Sequence, residues 1–185
     1  MPRRALLLAL AAAALVAGGA WWTARSRPAR PDSAAWRAVG ASLAARYPDV
    51  RTVSTDALAA ELDARPAPIL LDAREPAEYA VSHLPGARRV DPDASADALA
   101  AALGGVDRDR PAVVYCSVGA RSAAVAARLA DAGFADVRNL EGSIFRWAGE
   151  GRPLVGPGGA ATDLVHPYDA VWGRLLDAAR RAPLP

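Results

Sequence analysis

Lysine is missing from this sequence, and all 22 basic residues are arginine. Such one-sidedness is a compositional bias, so arginine richness alone is not evidence of function. The formal net charge is only +2. No long basic run interleaves with aromatics, which argues against a nucleic-acid partner. There is one cysteine. It excludes an internal disulfide and any cysteine-cluster metal site. The two histidines, His83 and His166, stand in unrelated contexts. They do not compose a zinc ligand set, and neither a metal nor a cofactor is expected. What remains is 185 residues with 52% apolar content, a figure that alanine inflates. That length suffices for one domain with a core and some extensions.

Long apolar runs are scarce, with one exception. Arg3 and Arg4 precede Ala5 to Trp22, a stretch without a charge. It approaches the roughly 20 residues that cross a bilayer and exceeds the ~7–15 residue core of a signal peptide. Trp21 and Trp22 stand where an interfacial aromatic belt lies. Residues 1–22 therefore read as a membrane anchor with the following domain exported. The alternative is a cleaved signal peptide, for which Gly18-Gly19-Ala20 supplies small residues, and secretion. No cysteine lies here to carry a lipoprotein anchor. Residues 23–33 form a linker with Pro28 and Pro31.

Residues 34–49 read as a helical extension, capped by Asp32 or Ser33 and stopped by Tyr47-Pro48. Short apolar runs then alternate with helical segments. Strands are expected at Val50–Val53, Ile69–Asp72, near Arg89-Val90, at Ala112–Tyr115 and at Val137–Leu140. Helices are expected at Asp56–Asp63, Ala77–Val81, Ala94–Leu103, Ser122–Ala132 and Gly142–Ala148. This order predicts an α/β domain with a mostly parallel central sheet flanked by helices. Residues 154–185 begin as a loop rich in glycine and proline. The spacing of Tyr168, Val171, Trp172, Leu175, Leu176 and Ala179 predicts a helix docked back on the domain.

The stretch Val113-Val114-Tyr115-Cys116-Ser117-Val118-Gly119-Ala120-Arg121-Ser122 carries the chemistry. An apolar strand ends at the lone thiol, and a helix begins a few residues later. The unpartnered N–H groups of such a loop and of the first helical turn converge on one spot and favour an anion there. Functional loops of parallel sheets lie at the strand carboxyl ends. Asp72 and Cys116 both hold such positions.

Cys116-Ser117-Val118-Gly119-Ala120-Arg121-Ser122 resembles the C-x-x-G-x-R-S loop of the rhodanese-like sulfurtransferases, single-domain type. Leu70-Leu71-Asp72-Ala73-Arg74 resembles that family's strand-end D-x-R. Glu75 to Tyr79 is similar to its E-x-x-E-Y, and His83 to Ala87 to its H-L/I-P-G-A. Asn139-Leu140-Glu141-Gly142-Ser143 resembles its N-L-x-G-G, with Ser143 in place of a glycine, and Trp147 fits the tryptophan that follows. The resemblance covers residues 50–153 and implies a rhodanese-like fold. It leaves the amino-terminal segment and the carboxyl-terminal one outside.

The resemblance implies a sulfurtransferase that carries sulfane sulfur as a persulfide on Cys116. Ser117, Val118, Gly119, Ala120, Arg121 and Ser122 would bind the substrate, with Asp72 and Arg74 supporting the loop from behind. Arg121 either orients the anion or braces the loop through a carboxylate. Only a thiolate attacks, and an ordinary thiol has a pKa of ~8.5. The N–H groups, the helix N-terminus and a guanidinium all act to lower it. The donor would be thiosulfate or a persulfide. With no second cysteine, the acceptor must come from outside: a thiol, cyanide or a protein. Four residues separate Cys116 from Arg121. Phosphatases of similar fold have five there, which disfavours phosphoryl chemistry. The rival reading is a non-enzymatic binding or redox-sensing module at the membrane.

Overall fold

The computed structural model describes residues 33–184. The anchor or signal reading of residues 1–22, and the linker apart from Ser33, lie outside the described residues. Among the described residues no helix is long and apolar enough to cross a membrane.

Helix α1 (Ala34–Arg46) begins at Ser33, whose Oγ accepts the Trp36 N–H at 3.3 Å. It ends at Tyr47 because Pro48 disfavours the α conformation in the residue before it. The domain then alternates strands and helices: β1 (Arg51–Val53), α2 (Thr55–Leu62), β2 (Ile69–Asp72), α3 (Pro76–Val81), β3 (Arg88–Arg89), α4 (Ala96–Ala102), β4 (Ala112–Tyr115), α5 (Ala120–Asp131), β5 (Val137–Leu140) and α6 (Ser143–Gly149). All five strands are parallel, in the order β1-β5-β4-β2-β3. Their crossovers demand helices on both faces, so the central strands are buried on both sides. β2 and β4 are buried at every residue.

Alternation of side chains along each strand divides the core in two. Leu70, Val113, Tyr115 and Leu140 face one way and pack with Leu58 of α2 and Ile144, Phe145 and Trp147 of α6. Ile69, Leu71 and Val114 face the other way and pack with Leu99 of α4 and Val125 and Leu129 of α5. Leu58, Leu99 and Leu129 are almost entirely removed from water. Burial on that scale contributes about 1.5–3 kcal/mol for each side chain. Cys116 continues the alternation from Val114 and sits on the α4–α5 side.

The carboxyl-terminal helix expected over Tyr168–Ala179 is absent and replaced by two short 3-10 turns, Trp172–Leu175 and Ala178–Arg180. The helical spacing of apolar residues is real, but the backbone hydrogen bonds are committed elsewhere. Tyr168 stands at φ 65°, which no helix accepts. Asp169 Oδ1 takes the N–H groups of both Val171 and Trp172 at 2.8 Å. Leu176 is extended, and Val165 exchanges hydrogen bonds with Arg180 and Ala182. The segment still docks on the domain, with Val165 and Leu176 in the core.

Candidate active site

β4 delivers Cys116 to the carboxyl edge of the sheet, and Gly119 turns the chain into α5. Gly119 has φ 114°, a conformation that costs any residue with a Cβ. The Cys116 thiol is 1% exposed. The Gly119 N–H donates to its Sγ at 3.1 Å.

α6 shapes the loop from behind. Ile144 N–H donates to the Cys116 carbonyl at 3.1 Å, and Phe145 N–H donates to the Ser117 carbonyl at 3.2 Å. In a trans peptide the carbonyl and the following N–H point in opposite directions. Holding both carbonyls toward α6 therefore turns the Ser117 and Val118 N–H groups away from it. Ser143 adds a further contact. It stands at φ 50°, where a glycine would be at ease, and its Oγ accepts the Cys116 N–H at 3.2 Å. The departure from the family's glycine thus provides a partner for a buried amide.

Burial alone would push the Cys116 thiol up. It is outweighed by the Ser122 hydroxyl, the Arg121 charge and the N–H groups of Ser122 and Gly119, which together hold the thiol below its ordinary value. The Ser122 hydroxyl has one proton and two acceptors. It donates to Asn139 Oδ1 at 2.7 Å and is within reach of the sulfur. Asn139 Nδ2 in turn donates to the Gly119 carbonyl at 3.1 Å. The orientation of the Asn139 amide follows, because its oxygen facing that carbonyl would set acceptor against acceptor.

Arg121 braces the loop through a carboxylate. Its Nη1 and Nη2 donate to Glu78 at 2.6 and 2.8 Å, a bidentate pair. Ser117 Oγ donates to the same carboxylate at 2.8 Å and accepts from Arg121 Nη2 at 3.0 Å. Burial of Glu78 raises its pKa, but the Arg121 bonds and charge lower it more, with the Glu75 N–H and the Ser117 hydroxyl adding to them, so it stays below the ordinary carboxylate value. Tyr168 covers a face of the guanidinium, with its ring centroid 4.8 Å away.

Asp72 and Arg74 form a buried pair at 2.6 Å. Neither is placed against the thiol by any hydrogen bond. Arg74 Nη2 donates to the Ser82 carbonyl at 2.5 Å, and Nη1 to the Glu78 carbonyl at 3.4 Å. The pair holds both ends of the turn around α3. α3 presents Glu78, and Glu78 holds Arg121 and Ser117. His83 stacks on Tyr79 at 3.9 Å between ring centroids and pairs its backbone with Val155.

Of the loop residues expected to bind substrate, Gly119 and Ser122 surround the sulfur. Ser117 and Arg121 turn to Glu78. Val118 is buried in the core, and Ala120 opens α5. Sequence reasoning gave Glu78, Asn139 and Ser143 no role beyond their place in motifs, and placed Tyr168 only as part of a docked helix. In the structure Glu75 and Glu78 form a reciprocal capping box at the start of α3, a local pairing. The partnership of Glu78 with an arginine 43 residues away leaves no local signal in the sequence.

The fold and the loop define a class: an α/β protein with one thiol in an N–H cradle at the carboxyl edge of a parallel sheet. A family model described as the rhodanese-like domain matches residues 54–150. A sulfurtransferase of Allochromatium vinosum is 33% identical over 110 residues, spanning 60% of this chain and 99% of the relative. The thiosulfate sulfurtransferase GlpE of Pseudomonas aeruginosa is 40% identical over 78 residues, spanning 42% of this chain and 67% of the relative. The solved polysulfide-sulfur transferase homodimer of Wolinella succinogenes is 25% identical with a TM-score of 0.52, covering 66% of this chain and 90% of that one. The chain belongs to the rhodanese-like domain family, and it is a rhodanese-type sulfurtransferase.

Proposed function

We propose that the protein moves sulfane sulfur from thiosulfate or a persulfide donor to an external thiophilic acceptor through a persulfide on Cys116. The observation that carries this reading is the placement of Sγ against the Gly119 N–H and the Ser122 side chain in a loop with four residues between Cys116 and Arg121. With thiosulfate, the Cys116 thiolate attacks the outer sulfur. A sulfur–sulfur bond forms at Cys116, the one within thiosulfate breaks, and sulfite leaves with that electron pair. Charge balances without an oxidant. The N–H groups stabilise negative charge on the terminal sulfur of the persulfide as they do on the thiolate. A thiol, cyanide or protein thiolate then takes that sulfur and regenerates Cys116. No second cysteine is present to take it internally.

Intact-mass measurement after incubation with thiosulfate, polysulfide or a thiol persulfide tests this. The wild type gains one sulfur, about 32 Da, and Cys116→Ser gains none. No gain with any of the three donors overturns the reading.

The apolar run of residues 5–22 supports a membrane-anchored protein whose domain is exported. Membrane fractionation with amino-terminal sequencing tests it. A soluble product that begins after Ala20 shows a cleaved signal instead.

A further inference from the structure

We infer that the donor of this enzyme is an organic persulfide bearing carboxylates, whose organic part lies in a groove between α1 and the carboxyl-terminal segment. The inference rests on the sulfurtransferase reading and narrows its substrate.

Arg121 is poorly available to a small dianion. Glu78 and Ser117 take three of its N–H bonds, Glu78 balances its charge, and the Tyr168 ring covers a face. A sulfonate at the loop would therefore meet N–H dipoles with little free positive charge. Tyr168 is held in that place at φ 65° by His166, whose Nδ1 accepts the Tyr168 N–H at 3.1 Å.

Beside the loop opens a groove of about 660 Å³. Volumes of ~300–1,000 Å³ take ligands much larger than an inorganic sulfur anion. Val39 and Leu43 of α1, Val118 and Ala120 of the loop, and Trp172 of the carboxyl-terminal segment line it. Leu43 lies directly over the loop, since a Cβ on Gly119 would come 3.0 Å from its Cδ1. The groove also holds Arg46, Arg128 and one carboxylate, Asp93. Arg128 donates only to the carbonyls of Ala124, Ala94 and Pro92, and Arg46 rests over the Tyr47 ring. Among the described residues neither forms an ion pair. Apolar walls with two unneutralised guanidinium groups fit an organic body with carboxylates. Both α1 and Trp172 lie outside the stretch matched by the family model, so the groove is a feature of this chain's extensions.

In the transfer, the Cys116 thiolate attacks the terminal sulfur of R–S–SH. The bond between the two donor sulfurs breaks, R–S⁻ leaves with its electron pair, and Cys116 carries S–SH with the donor's proton.

Rapid-mixing measurement of Cys116 persulfidation in the full chain tests the assignment with three probes. These are glutathione persulfide, which carries two carboxylates, the persulfide of 2-mercaptoethanol, whose organic part is uncharged, and inorganic tetrasulfide. Glutathione persulfide is expected to react about tenfold faster at limiting concentration than the persulfide without carboxylates, with saturation. Arg46→Gln and Trp172→Ala, both at exposed positions, should each lower the ratio of the glutathione persulfide rate to the tetrasulfide rate by roughly threefold to tenfold, through the concentration dependence. Equal rates for the two organic persulfides, or a ratio unchanged in both variants, overturn the assignment. Absence of persulfidation with every probe instead defeats the sulfurtransferase reading itself.

Discussion

Glu78 Oε2 accepts from Arg121 Nη1 at 2.6 Å, while its other oxygen takes Arg121 Nη2 and the Ser117 hydroxyl. One buried carboxylate on α3 thus fixes both side chains that the loop sends away from the sulfur. Arg121 remains near enough for its charge to lower the Cys116 thiol.

Glu78→Gln should destabilise the protein by about 1–3 kcal/mol. A wholly buried pair would cost more, but Arg121 is 22% exposed and water can reach it. Because the folded-state pKa of Glu78 is lowered, the stabilisation is complete above the unfolded carboxylate value of ~4.3 and is lost as pH falls through the lower folded value. Urea titrations at neutral pH and across the acid range should show the gap between wild type and variant closing only in acid.

Asp72→Asn should leave the Arg74 guanidinium buried without its counter-charge, at a cost of about 3–5 kcal/mol. That is a large part of the ~5–15 kcal/mol that holds a domain folded. The expected signature is a large drop in urea midpoint. Persulfide formation per folded molecule should fall less than the folded fraction does, since neither residue is hydrogen-bonded to the thiol. A loss of chemistry at full folding would contradict the supporting role.

Gly119→Ala combines a backbone conflict at φ 114° with a 3.0 Å approach to Leu43 Cδ1. The backbone strain alone costs about 1–3 kcal/mol. The rate of persulfide formation should fall as well, because the Gly119 N–H is aimed at Sγ. Gly119→Ala combined with Leu43→Ala should recover part of the stability and little of the rate. Thermal melts and single-turnover rates separate the two effects.

The thiolate form of Cys116 should already be populated below the ordinary thiol pKa of ~8.5, since its folded value is lowered. The rate of alkylation by iodoacetamide, followed against pH, should therefore have its midpoint below that value. Ser122→Ala removes a side-chain donor to the sulfur and should move the midpoint upward. An unmoved midpoint would place the Ser122 proton on Asn139 in both protonation states.

Local chemistry made the sheet legible. β2, β4 and β5 occupy the expected positions because short apolar runs bounded by turn residues have few other ways to be buried. The start of α1 was readable in Ser33, and its end in Tyr47-Pro48. The same reasoning failed after Pro167. There, apolar spacing predicted a helix, and competing hydrogen bonds from Asp169 and from the isolated bridge of Val165 with the 180–182 segment prevailed. Spacing reports which side chains can share a face and says nothing about where each N–H is spent.

By itself, the sequence determined the lone thiol, the length of its loop, the strand that delivers it and the lack of a second cysteine. Each follows from residue identity and from spacings of a few positions. Tertiary structure decided how the loop is charged and what covers it. Glu78 reaches Arg121 across 43 residues, Ser143 reaches the Cys116 N–H across 27, and Leu43 and Tyr168 approach from opposite ends of the chain. Those pairings depend on the sheet order and on packing between distant elements, which no local period encodes.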